Sequence, residues 1–126
     1  MEFKGKQSIY IQITNYVCEQ ILLEQWPPGE RIPSVRDLAA TLEVDPNTVM
    51  RAYDFMQSQE IIFNKRGIGY SAAEDAKKLI LAYRRERFLE SELPGFFKIL
   101  YLLNIPVEEL QTRYDKFVAA EYPTTP

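Results

Sequence analysis

The chain has 126 residues, 46% of them hydrophobic and 26% charged, a globular balance sufficient for one ordinary domain or two small ones. Histidine is absent and Cys18 is the one cysteine, so the commonest general base, the usual zinc-ligand sets and any internal disulfide are excluded. A formal net charge of −3 gives no global attraction to nucleic acid, although a DNA-facing surface needs only a local cluster of Lys and Arg.

Nothing approaches the ~18 consecutive apolar residues of a membrane span. The opening MEFKGKQSIY lacks the apolar core of a secretory signal. Together with the lone cysteine this predicts a cytoplasmic protein with no membrane partner. Neither a Gly-x-x-x-x-Gly-Lys-[Ser/Thr] loop nor a Gly-x-Ser-x-Gly elbow occurs. No catalytic residue, metal site or cofactor is predicted, and the chain is not expected to be an enzyme.

Residues 8–25, SIYIQITNYVCEQILLEQ, place Ile9, Ile13, Tyr16, Val17 and Ile21 on one helical stripe, with Ser8 as a candidate N-cap and Cys18 as a buried thiol. Pro27-Pro28-Gly29-Glu30 is read as the stop. In SVRDLAATLEV, Ser34 caps a short helix whose inner face is Leu38, Ala39 and Leu42, with Asp37 where a capping box prefers Glu or Gln. In VDPNTVMRAYDFM, Asp45 is the N-cap and Pro46 occupies the first helical position. Val49, Ala52, Tyr53 and Met56 form the inner stripe, which leaves Asn47, Thr48 and Arg51 facing out at the N-terminal end. Ile61–Phe63 and Tyr70–Ala72 read as strands about the turn NKRGIG. From Ala73 the pattern is helical again: Ala76, Leu79, Ile80 and Tyr83 share a face, LPGFFKILYLLN is apolar nearly all round, and a last helix begins near Pro106.

This order predicts a mainly α fold with a small β-hairpin. Residues 1–72 form a winged helix-turn-helix, and residues 73–126 a short all-helical dimerisation region with a frayed C-terminal tail. A recognition helix enters the major groove with its N-terminal end foremost. Asn47 suits an adenine edge, Arg51 a guanine edge, and Thr48 a phosphate or a thymine methyl. Lys65, Arg66 and Gly67 sit at the predicted wing tip. Taken singly, these residues are also what an ordinary solvated face contains.

PPGERIPSVRDLAATLEVDPNTVMRAYDFMQSQEIIFNKRGIGY resembles the DNA-binding domain of the GntR family of bacterial transcription regulators. That family's pattern runs Pro-Gly-x-x-Leu-Pro-Ser-x-Arg-x-Leu-Ala, then Val-x-x-x-Thr-Val, then Gly-x-Gly. Pro28, Gly29, Pro33, Ser34, Arg36, Leu38, Ala39, Val44, Thr48, Val49, Gly67 and Gly69 match it. DPNTV followed by RAY is similar to the YtrA-type subfamily, whose C-terminal region is short and helical. The resemblance covers residues 8–72 strongly. It implies that Ser34 and Arg36 lie at a DNA-facing helix start, with Arg36 contacting the backbone or a guanine. It places Asn47, Thr48 and Arg51 in the major groove and Lys65, Arg66 and Gly67 near the minor groove. Ile32 stands where the family usually has Leu, and Glu43 and Glu60 stand where it usually has Gly. Those two helix ends favour a left-handed residue, so local geometry is put in question. Residues 1–72 carry seven Lys or Arg against nine Asp or Glu, which predicts modest, strongly salt-dependent DNA affinity.

About 50 residues follow the wing, too few for a separate ligand-binding domain, and no small-molecule effector is identified. A helix apolar on all sides needs partners on several sides. The dimer surface is predicted at Leu79, Tyr83, Phe96, Phe97, Leu100 and Leu103, with packing against the first helix of the same chain as the alternative. Glu86, Glu90, Glu92 and Glu108 read as solvated faces. The resulting expectation is a homodimeric repressor of a palindromic double-stranded DNA operator, for which the subfamily resemblance implies a transporter operon. The rival is a winged-helix protein-interaction module without DNA binding.

Overall fold

Residues 8–124, the part of the chain described by this computed structural model, contain six α-helices and one antiparallel hairpin. The elements are α1 (Ile9–Leu22), α2 (Val35–Leu42), α3 (Pro46–Ser58), β1 (Ile62–Lys65), β2 (Gly69–Ala72), α4 (Ala76–Arg87), α5 (Leu93–Leu102) and α6 (Val107–Glu121). They fall into two compact units, one ending at Arg85 and the other beginning at Glu86.

The N-terminal unit is built on a single apolar core. Ile13, Val17, Cys18 and Ile21 of α1 meet Leu38, Ala39 and Leu42 of α2 and the whole inner stripe of α3. Ile9, assigned to the α1 stripe by spacing, is instead exposed at the first turn. Burial pushes the Cys18 thiol up to about 11, against a lowering effect of Arg84. The unit extends past Ala72, because Ala76 and Ile80 of α4 are fully buried in the same core and Leu79 packs on it.

The hairpin pairs Ile62 with Ala72 and Lys65 with Gly69. Strand β1 begins one residue later than the pattern predicts and runs two further, and β2 begins one earlier, because a tight turn closes them: the Ile68 amide donates to the Lys65 carbonyl at 2.9 Å. Gly67 in that turn has φ +82°, a conformation L-residues rarely adopt. A third short segment joins the sheet where Arg31 bridges Ser71; the Ile32 amide donates to Tyr70 O, and the Ala72 amide to Glu30 O.

In the C-terminal unit a π-helical turn, Phe88–Glu92, leads directly into α5. Hydrophobic periodicity reads this stretch as plain helix. Pro94, at the start of α5, has no N–H to donate one turn back, and its ring crowds the carbonyl four residues earlier. A local widening of the helix relieves that conflict. The last helix ends at Glu121, and of the predicted tail Thr125 and Pro126 lie outside the described residues.

Four helices end in one way. Glu24, Glu43, Glu60 and Asn104 take φ of 58°, 57°, 61° and 57°. At each, the next amide bonds back to the carbonyl five residues earlier: Gln25 to Gln20, Val44 to Ala39, Ile61 to Met56 and Ile105 to Leu100, at 2.9–3.0 Å. The left-handed residue itself bonds back three: Glu24 to Ile21, Glu43 to Ala40, Glu60 to Gln57 and Asn104 to Tyr101. This is the Schellman motif. It also ends α1 at Leu22, upstream of the prolines that the sequence marks as the stop. Glu43 and Glu60 therefore keep the left-handed turn that glycine would make without strain.

A left-handed L-residue costs about 1–2 kcal/mol, and glycine gives back roughly 0.5–1 kcal/mol of that through its freer unfolded chain. Glu43→Gly and Glu60→Gly should accordingly leave stability unchanged or raise it by up to about 1 kcal/mol. Glu60→Val, β-branched at positive φ, should lower it. Urea denaturation of the three variants checks this; a clear loss in both glycine variants would contradict the strain at these turns.

Candidate nucleic-acid interface

The start of α3 is set by local chemistry. Asp45 accepts a hydrogen bond from the Asn47 amide at 2.7 Å, and Pro46, which has no N–H to leave unpaired, begins the helix. α2 is capped in the same manner: the Ser34 hydroxyl accepts from the Asp37 amide at 3.1 Å. Two capped helix starts thus bracket the left-handed turn at Glu43.

Tyr53 holds the surrounding parts together. It is fully buried, its hydroxyl donates to the Pro33 carbonyl at 2.7 Å, and its ring meets Tyr70 of β2 edge-on with centroids 4.8 Å apart. Burial, with Tyr70 and Asp37 acting in the same direction, keeps the phenol protonated and hence a donor at all ordinary pH. The loop before α2, the helix α3 and the wing strand are therefore joined through one side chain.

All eight residues predicted from sequence for DNA binding lie in the N-terminal unit. Arg36, the second residue of α2, is exposed, as is Asn47, the second residue of α3. Thr48 is half-buried. Ser34 is also half-buried, and its hydroxyl is engaged as a cap. Arg51 is exposed but not extended, its guanidinium lying 4.2 Å from the centre of the Tyr10 ring on α1. The Lys65 ammonium lies 5.5 Å from the Phe63 ring, and Arg66 and Gly67 occupy the turn between the strands. Among the described residues none of Arg36, Lys65 and Arg66 has a carboxylate partner. A Cβ at Gly67 would meet nothing within 4 Å, so the wing tip is open.

Two residues of this region escape a search guided by polarity and spacing. Arg31 is exposed in the third strand segment, its guanidinium against Gly69 of the wing. A single-bridge strand has no period for a sequence to show. Met50 is exposed on α3 one turn after Asn47, and the Tyr70 hydroxyl donates to its sulfur at 3.8 Å. Its i, i+3 relation to Asn47 was the available signal, hidden because an apolar side chain on a helix is ordinarily assigned to the core.

Three of the six residues predicted for a dimer surface are covered wholly or partly by their own chain. Leu79 packs on the N-terminal core, the Tyr83 ring meets Phe55 at 5.5 Å, and Leu100 is only 7% exposed. Phe96, Phe97 and Leu103 are open. Among the described residues no cluster of acidic or sulfur side chains could hold a metal, and no helix is long and apolar enough to cross a membrane.

This geometry is that of a winged helix-turn-helix protein. The gntR family model, "Bacterial regulatory proteins, gntR family", matches residues 9–71. The HTH-type transcriptional regulator YhcF of Bacillus subtilis is 31% identical over 109 residues, which is 86% of this chain and 88% of that protein. The HTH-type transcriptional repressor YtrA of Bacillus subtilis is 38% identical over 78 residues, 62% of this chain and 60% of that protein. A GntR family transcriptional regulator from Listeria monocytogenes has a similar solved structure, with TM-score 0.70 and 32% identity over 90% of this chain and 98% of that one. The chain belongs to the gntR family of bacterial regulatory proteins and is of YtrA type. It is a DNA-binding transcription regulator and not an enzyme.

Tyr53→Phe keeps the ring and removes the bond to Pro33. It should lower stability by about 1–2 kcal/mol, the effect of deleting a largely buried hydrogen bond. An unchanged urea midpoint would show that the Pro33 carbonyl has another donor.

Proposed function

We propose that the protein is a homodimeric repressor that binds a twofold-symmetric operator, with the first two turns of α3 in the major groove of each half-site. The observation that carries the dimer is the open apolar surface of the C-terminal unit. Phe96, Phe97, Ile99, Leu102 and Leu103 of α5 and its exit are exposed, and α6 adds Val107, Tyr114 and Phe117, spaced along one helical stripe. Single exposed apolar residues are ordinary, but a run of this kind marks an interaction surface. A second copy related by a twofold axis is the economical cover.

The DNA side rests on the capped start of α3 and the unpaired cations about it. Asn47 and Arg51 supply base contacts, Arg51 by leaving Tyr10. Arg36, Lys65, Arg66 and Ser34 supply backbone contacts, and Thr48 either kind. Repression is proposed from the name of the YtrA relative. A neighbouring transporter operon as target rests on the subfamily resemblance alone. The cytoplasm is the proposed location.

Three measurements test this reading. Arg36→Ala should fold normally and reduce the slope of log affinity against log salt by about one unit if it contacts phosphate, or cost ~1–3 kcal/mol at one base pair if it contacts guanine. Wild-type binding at every salt concentration would remove Arg36 from the interface. Asn47→Ala should lower the ratio of operator to scrambled-DNA affinity more than it lowers affinity for scrambled DNA; an unchanged ratio would place recognition elsewhere. Phe97→Asp with Leu103→Asp leaves Leu100 in place and puts charge on the open surface. The wild type should sediment as a dimer at micromolar concentration and the double variant as a monomer with much weaker operator binding. A wild-type monomer would refute the dimer.

A further inference from the structure

The face of α3 that presents Asn47 also presents Met50, which has no part in the contacts assigned above. Met50 is 41% exposed, whereas its neighbours Val49 and Ala52 are fully buried. Residues three apart on a helix are surface neighbours, so the thioether stands beside Asn47. Arg51, the next residue, is drawn aside onto Tyr10 at 4.2 Å. With Arg51 on Tyr10, Met50 is the large side chain standing beside Asn47, and it keeps that place when Arg51 leaves Tyr10 for DNA, because its own bond is to Tyr70.

Its position is held. The Tyr70 hydroxyl donates to Met50 Sδ at 3.8 Å, and the Tyr70 ring rests edge-on against the buried Tyr53. Methionine has three rotatable side-chain bonds and ordinarily loses much freedom on docking. A bond from a tyrosine itself fixed to the core removes part of that loss in advance.

The chemistry narrows what Met50 can meet. A thioether has no donor and is a weak acceptor, so it cannot discriminate bases by hydrogen bonding. The major-groove edges of adenine, guanine and cytosine are read chiefly through donors and acceptors. Thymine adds a 5-methyl group, which apolar side chains recognise by contact. We propose that Met50, held by Tyr70, is a specificity-determining residue that packs on the 5-methyl group of a thymine in each half-site. Tyr70 acts as a positioning residue. The inference rests on the reading that α3 enters the major groove.

The test begins by selecting the preferred DNA from a random pool with the full-length protein. Each thymine is then replaced singly by deoxyuridine, which removes the methyl group and nothing else. Wild type should lose roughly threefold to tenfold in affinity at one thymine per half-site, the value of about one buried methyl group. Met50→Ala, at an exposed position, should bind thymine DNA more weakly by a similar factor and show no deoxyuridine penalty at that site. Met50→Leu should keep the penalty, and Tyr70→Phe, which keeps the ring, should reduce it. The same penalties in Met50→Ala as in wild type, or no penalty anywhere in wild type, would overturn the assignment while leaving a selected sequence and the groove reading intact. A pool from which no sequence is selected would overturn both.

Discussion

The DNA-facing half of this protein depends on how α3 is held, and Tyr53 does most of the holding. A helix that reads a groove needs its exposed side fixed to within a fraction of an ångström, although nothing can brace it from that side. The bracing has to come from the buried side. Here one phenol reaches the loop before α2 through its hydroxyl and the wing through its ring. The capped start at Asp45 then sets the axial position, and the third strand segment ties the wing strand back to residues 30–32. Helix, loop and wing are thus tied to one another, so a contact made by one constrains the others.

Much of this arrangement is legible in the sequence because it rests on short-range rules. Asp45-Pro46 specifies a helix start, the spacing of Val49, Ala52, Tyr53 and Met56 specifies its inner face, and all four are fully buried. Gly67 marks the wing turn. The features that escape the sequence have other origins. The π turn before α5 follows from the conflict at Pro94, which hydrophobic periodicity does not register. The stacking of Arg51 on Tyr10 and the bond between Tyr70 and Met50 join residues far apart in the chain. The left-handed Glu43 and Glu60 show the hydrogen-bond pattern of the Schellman turn prevailing over side-chain preference. Leu79, Tyr83 and Leu100 are covered wholly or partly within the chain, which spacing does not register, since it cannot say which side of a helix its own chain covers.

The two units differ in how they use apolar residues. The N-terminal unit places most of its described apolar residues in or against one continuous core, with Ile9, Leu23, Met50, Ile68 and Leu81 left exposed. Among the described residues of the C-terminal unit only Leu100 is buried, and Phe96, Phe97 and Leu103 remain in contact with water. With so little internal burial, the cover that the proposed second copy provides would supply much of that unit's stability. Folding of this region and association would then be one process, and its apparent stability would vary with protein concentration.

The glutamates at the helix ends have an electrostatic consequence. Glu43 and Glu60 follow the C-termini of α2 and α3, where the aligned peptide dipoles present partial negative charge. Each carboxylate is repelled there, and dissolved ions weaken that repulsion. The same ions weaken attraction between Lys or Arg and phosphate. Ionic strength thus pulls the DNA-binding unit in opposite directions, towards a firmer fold and a looser grip on DNA.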